Sequence, residues 1–127
     1  MNKLIVFFVA ALALTACQSK PNRPSVPTPS AHAQAVSTLQ RVNTNAHECW
    51  MGDKSFKSFG IIPELDTTGT PRILVIPKGK PQSLPQLVIT ASGKSTQTFG
   101  PLAQSPLAPR INADVSRWAA GSNGCSA

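Results

Sequence analysis

The chain has 127 residues, with 12 Lys/Arg against 5 Asp/Glu, 12 prolines and no tyrosine. Only 13% of its residues are charged, its basic residues are scattered, and that scatter argues against a nucleic-acid partner. A formal net charge of +7 suits an anionic neighbour instead, and the length holds one domain at most.

The N-terminus begins Met1-Asn2-Lys3, a short segment with one positive charge, followed by an uninterrupted apolar run from Leu4 to Leu14. At about 1.5 Å per residue such a run covers only ~16 Å, too short for a bilayer-spanning helix and right for the core of an export signal. It ends in Leu14-Thr15-Ala16-Cys17. Small residues directly before a cysteine, placed after an apolar run, resemble the lipobox of bacterial lipoproteins. The resemblance implies that the leader 1–16 is cut off, that Cys17 takes lipid on its sulfur, and that the new N-terminus is acylated, with palmitate among the expected chains. Several acyl chains on one residue hold a protein firmly, whereas one chain binds marginally. In that family the residue after the lipid-bearing cysteine influences sorting. Here it is Gln18 and not aspartate, which resembles lipoproteins sent to the outer membrane and facing the periplasm. Loss of Lys3 with the leader lowers the net charge by one, from +7 to +6.

Residues 17–30 read as the lipidated cysteine and a tether. Pro21, Pro24, Pro27 and Pro29 stand among Ser, Thr, Asn and basic residues, a composition that builds no core. In polyproline II at about 3.1 Å per residue, residues 18–30 reach ~40 Å. Residues 31–127 then make one small domain. Ser30 is a candidate cap for a helix from about Ala31 to His47. Ala35, Val36, Leu39, Val42, Ala46 and Cys49 form its apolar stripe at three- and four-residue steps.

Four short β-branched or aromatic runs follow, at Phe56–Ile62, Ile73–Ile76, Leu87–Thr90 and Ser95–Phe99. Asp66 to Pro71 makes a turn between the first two runs, and Ser92-Gly93 makes a tight turn between the last two. Lys78-Gly79-Lys80-Pro81 opens a longer loop between the second and third. No connection has room for a crossover helix, so the sheet is expected to be antiparallel. Gly100 to Pro109 reads as loop. Ile111, Val115 and Trp118 then fit a short helix from about Asn112 to Ala120, ended by Gly121. Helix, four strands and helix in that order predict an α+β fold, a small antiparallel sheet of about four strands with an N-terminal and a short C-terminal helix on one of its faces.

With Cys17 given to lipid, Cys49 and Cys125 are an even pair in an oxidising compartment, and a disulfide between them is expected. In the chain-entropy account, closing so long a loop is worth roughly 4–5 kcal/mol. Chemistry beyond that is thin. Ser92-Gly93-Lys94-Ser95 ends like a phosphate-binding loop, but Val88 stands where the first glycine belongs, and strand follows where a helix should. His47, Cys49 and Met51 are soft-metal donors two residues apart, a spacing that does not share a helical face. His47 with Asp114 lacks a nucleophile motif. No metal ligand set, cofactor or catalytic group is assigned. Trp50 and Trp118 read as packing around the disulfide. Lys54, Phe56, Lys57 and Phe59 alternate in a way that puts one aromatic beside a lysine on a strand face, which marks them as a candidate contact surface; a twisted or bulged strand that buries both rings is the alternative.

A proline-rich tether carrying a small α+β domain is similar in layout to small lipoproteins of Gram-negative envelopes, an analogy of architecture that carries no function. The expected role is a lipid-anchored, non-enzymatic binding or assembly module. Its expected partners are the membrane through Cys17, an envelope protein, or an anionic wall or lipid surface. A binder of cell-wall polymer, an inhibitor of a foreign enzyme and a small hydrolase are the alternatives.

Overall fold

The computed structural model describes residues 27–66 and 68–126. The expected leader 1–16, Cys17 and the tether as far as residue 26 lie outside the described residues. Helix α1 spans Ala31–Cys49. Ser30 starts it, its hydroxyl accepting from the Ala33 N–H at 3.1 Å. The helix runs two residues past its expected end because Cys49 and then Trp50 are buried, and the Trp50 N–H closes the last turn on the Ala46 carbonyl at 2.8 Å.

The segment after Trp50 departs from the expected strand. Lys54–Phe56 is a 3-10 turn, and strand β1 begins only at Phe59, spanning Phe59–Glu64. Asp53 decides this locally, because its carboxylate accepts from the Ser55 N–H at 2.7 Å and winds the chain into the turn. Burial completes it: Phe56 is buried and stacked on Trp50, with ring centroids 4.8 Å apart. β1 then continues through Pro63, which the sheet accepts because β1 is an edge strand.

Strands β2 (Arg72–Pro77), β3 (Leu87–Ser92) and β4 (Ser95–Phe99) complete a sheet of order β1-β2-β3-β4, every neighbouring pair antiparallel. The β3–β4 turn is Gly93-Lys94 alone. Gly93 has φ +60°, and no described residue other than glycine has positive φ, which is the pattern of a type II′ hairpin. Gly100 ends β4 at φ +107°. A side chain there would meet the Gln86 carbonyl at 2.7 Å, and that same carbonyl accepts from Leu102 N–H at 2.9 Å. A second 3-10 turn, Pro101–Gln104, lies inside the stretch expected to be loop.

Helix α2 spans Ala108–Ala119 and so begins four residues before the sequence suggests. Pro109 sits in its first turn, where a missing N–H costs nothing and the fixed φ favours the helix. The two helices pack on one face of the sheet. Leu39, Val42 and Ala46 of α1 and Ile111, Val115 and Trp118 of α2 meet Ile61, Ile73, Val75, Leu87 and Ile89 of the strands in one core. The result is an α+β fold with an N-terminal helix and a short C-terminal helix. Among the described residues no helix is long and apolar enough to cross a membrane.

Candidate functional site

Cys49 and Cys125 are joined in a disulfide, Cα to Cα 5.2 Å. Hydrogen bonds bring the last residues to it. Asn45, one turn before Cys49 on α1, accepts from the Gly124 N–H at 2.8 Å. The Gly124 carbonyl accepts from Arg117 Nη1 at 2.9 Å and Trp118 Nε1 at 2.8 Å. The chain after α2 is therefore laid along α1 on the face that carries Cys49.

Beside the disulfide lies a buried charge. Asp114 is 1% exposed, and its Oδ2 accepts from Trp50 Nε1 at 3.0 Å. Arg117 Nη2 donates to Oδ1 at 3.0 Å, and Arg110 Nε lies 3.7 Å from Oδ2. Arg110 also donates to Asp53 at 2.8 Å and lies over the Phe56 ring. The Ser55 backbone N–H, together with Arg110, holds the Asp53 carboxyl below its ordinary pKa. Arg110, Asp114 and Arg117 stand at i, i+4 and i+7, a spacing legible in sequence as one helical face. Its partner across the core, Trp50, was not.

The groups singled out for chemistry separate here. Asp114 is spent on Trp50 and the two arginines, while His47 is exposed on α1, so they form no relay. Cys49 is in the disulfide and Met51 packs against the core, so His47, Cys49 and Met51 offer no joint ligand set. Ser92 to Ser95 is a hairpin between two strands, with a strand where a phosphate-binding loop is followed by a helix. Trp50 and Trp118 are fully buried, their ring centroids 5.3 Å apart.

The contact surface expected from Lys54, Phe56, Lys57 and Phe59 needs correction. Phe56 faces the core because the 3-10 turn, not a strand, carries it, and Phe59 packs against the core as well. Lys54 and Lys57 alone of the four are exposed. They gain neighbours that no local pattern shows. The Lys78 N–H donates to the Ser58 carbonyl at 2.8 Å, and Phe59 pairs with Pro77, so the 54–58 and 78–80 segments lie side by side. Lys54, Lys57, Lys78 and Lys80 thus share one end of the sheet. Among the described residues every ion pair uses an arginine (Arg72 with Glu64, Arg110 with Asp53 and Asp114, Arg117 with Asp114) and none uses a lysine.

The sheet face away from the helices carries a second feature. Ile62 pairs with Leu74, Leu74 with Val88, and Val88 with Phe99, one apolar row across all four strands. Its ends are open, Ile62 at 37% and Phe99 at 51% exposure. Beside it runs a polar row, Glu64, Arg72, Thr90 and Gln97, in which Glu64 and Arg72 are ion-paired. A depression of about 570 Å³ lies along this border, lined by Glu64, Gly69, Thr70, Arg72, Val88 and Thr90.

Residues 1–18 match the model of the prokaryotic membrane lipoprotein lipid attachment site. No curated protein and no solved structure matches the chain. The match ends one residue past Cys17, the cysteine of the Leu-Thr-Ala-Cys run, and leaves the folded domain without a family. This chain is a bacterial lipoprotein, held in the cell envelope by a lipid anchor.

Proposed function

We propose that this lipoprotein is a non-enzymatic binding and assembly module that sits on the periplasmic side of the outer membrane and presents its open sheet face to an envelope protein. The observation that carries the reading is the apolar row Ile62–Leu74–Val88–Phe99, which joins all four strands and has no helix over it. A contiguous apolar strip with a polar margin is the usual form of a protein contact. The scaffold beneath it is held from the opposite side by the disulfide and the Asp114 cluster, so the face is preorganised. Support for a non-enzymatic role is that Asp53, Glu64 and Asp114 serve arginines and that His47 has no carboxylate partner among the described residues. Gln18 after the anchoring cysteine supports the outer-membrane address.

A photo-cross-linking residue at Phe99 or Ile62, in intact cells making the lipidated protein, is expected to capture one discrete partner. The same residue at Lys94, on the β3–β4 turn, is expected to capture none. Equal capture at all three positions, or none at Phe99, overturns the reading. With the cross-linker at Ile62, Phe99→Asp removes the capture while leaving the fold intact, because half of the Phe99 side chain is in solvent.

Anchoring has its own test. Cys17→Ser leaves the precursor uncut before residue 17 and without fatty-acid label. Retention of label, or undiminished processing, contradicts the assignment of the anchor to Cys17.

A further inference from the structure

We infer that the end of the sheet carrying Lys54, Lys57, Lys78 and Lys80 is a docking surface for an anionic lipid bilayer, separate from the sheet face described above. Three observations converge on it. The first is charge. These four lysines are exposed, and none is neutralised by an ion pair among the described residues. All four arginines among the described residues are engaged: Arg110 and Arg117 on carboxylates, Arg41 on the Ala119 carbonyl at 2.9 Å, and Arg72, on the sheet surface, on Glu64. The fold thus divides its cations by type. Guanidinium forks, suited to fixed bonds, hold the structure together, and flexible ammonium groups, suited to a diffuse surface of charge, are left in water. Asp53 lies at this end but is bound to Arg110, and Glu48, on the last turn of α1, is the exposed acid nearest in sequence to the cluster.

The second is an apolar residue in the same place. Leu84 is 83% exposed, in the loop that follows Lys78 and Lys80. The Ser83 N–H donates to the Lys80 carbonyl at 3.0 Å and folds this loop at the sheet end. A bare leucine next to unpaired lysines matches a bilayer interface, which offers anionic headgroups with hydrocarbon below them. A soluble polyanion would use the lysines but leave the leucine without a partner.

The third is reach. Ser30, where the tether enters, lies near the β3–β4 turn: Gln34 in the first turn of α1 donates to the Pro29 carbonyl at 3.0 Å and its Oε1 reaches Gly93, while Thr38 further along donates to the Gly93 carbonyl at 2.8 Å. The lysine end lies past the other end of α1, 19 residues or about 28 Å away. A chain of thirteen residues in polyproline II spans about 40 Å, so the 18–30 stretch is long enough for the domain to lie with its lysine end on the bilayer that anchors it. Tethering makes the contact intramolecular, so a weak affinity suffices.

The test uses the mature lipoprotein reconstituted in vesicles, with Leu84→Trp as reporter. Trp50 and Trp118 are fully buried and contribute a constant background. In vesicles of phosphatidylcholine with phosphatidylglycerol, the reporter indole is expected to shift to the blue and to be quenched by lipid brominated in its acyl chains. In pure phosphatidylcholine it stays red and unquenched. Raising salt to roughly 0.5 M, where charge interactions are screened within a few ångströms, removes most of the quenching. Changing Lys54, Lys57, Lys78 and Lys80 together to Gln lowers the docked-to-free ratio at least tenfold, with the near-ultraviolet circular dichroism of the buried tryptophans unchanged. Equal quenching in both lipids, or quenching that survives the four substitutions, overturns the proposal. So does a reporter that ignores lipid but is protected from acrylamide by a soluble anionic wall polymer, an outcome that moves the surface to the polymer. None of these results bears on cross-linking at Phe99, so this inference and the sheet-face reading fail separately.

Discussion

Loss of the Cys49–Cys125 disulfide is expected to lower the stability of the folded domain by roughly 4–5 kcal/mol, the chain-entropy value for tying together residues 76 apart. A domain of this size has about 5–15 kcal/mol in total, so between roughly a third and nearly all of its margin rests on this bond. The two cysteines are not equivalent. Cys125 is exposed, whereas Cys49 lies in the core with 7% of its surface accessible. Cys125→Ser therefore costs about the bond alone. Cys49→Ser adds roughly 1–2 kcal/mol for a hydroxyl placed among apolar side chains. The double variant costs what Cys49→Ser costs, because both substitutions remove one bond. Thermal unfolding of the oxidised protein against the three variants checks this, at about 4–8 °C per kcal/mol. A double variant that loses the sum of the two single losses, or a Cys125→Ser protein as stable as the parent, contradicts it.

Asp114→Ala is the second large effect, expected to cost about 2–3 kcal/mol. Trp50 is fully buried and loses the acceptor for its indole N–H, a penalty of roughly 1–3 kcal/mol by itself. Arg110 and Arg117 lose a charged partner. Both are partly exposed and keep other partners, Asp53 and the Gly124 carbonyl, so the full cost of a broken buried pair, about 3–5 kcal/mol, is not reached. Asp114→Asn keeps an acceptor for Trp50 and is expected to recover about half of the loss. Urea unfolding gives the magnitudes. The near-ultraviolet circular dichroism of Trp50 and Trp118 reports the local change, and it should alter more in the alanine variant than in the asparagine one. A loss below about 1 kcal/mol for Asp114→Ala would show that the indole bond and the arginine contacts contribute little net stability.

The sequence by itself determined the anchor, the fold class and the succession of helix, four antiparallel strands and helix. Each of these is written in local or periodic signals: a charged start, an apolar run and a cysteine at one fixed place; helical spacing from Ala35 to Cys49; β-branched runs cut by Pro, Gly and Asp. The same kind of signal located the β3–β4 turn, because Gly93 supplies a positive φ that few other residues supply. Element ends were less legible. Whether Phe56 starts a strand depends on Asp53 capping a turn and on Trp50 offering a ring to stack against, and the second of these is a packing contact. Only the tertiary structure decided the surfaces. Ile62, Leu74, Val88 and Phe99 form a row because the strand register lines them up, and a shift of one residue would turn any of them inward. Lys57 and Lys78 lie 21 positions apart in sequence and become neighbours through one backbone hydrogen bond, from Lys78 to Ser58. Charge counted along the chain gives the total. Which cations are spent on carboxylates and which are left facing water is settled by packing, because an ion pair requires two side chains at one place and sequence distance does not record place.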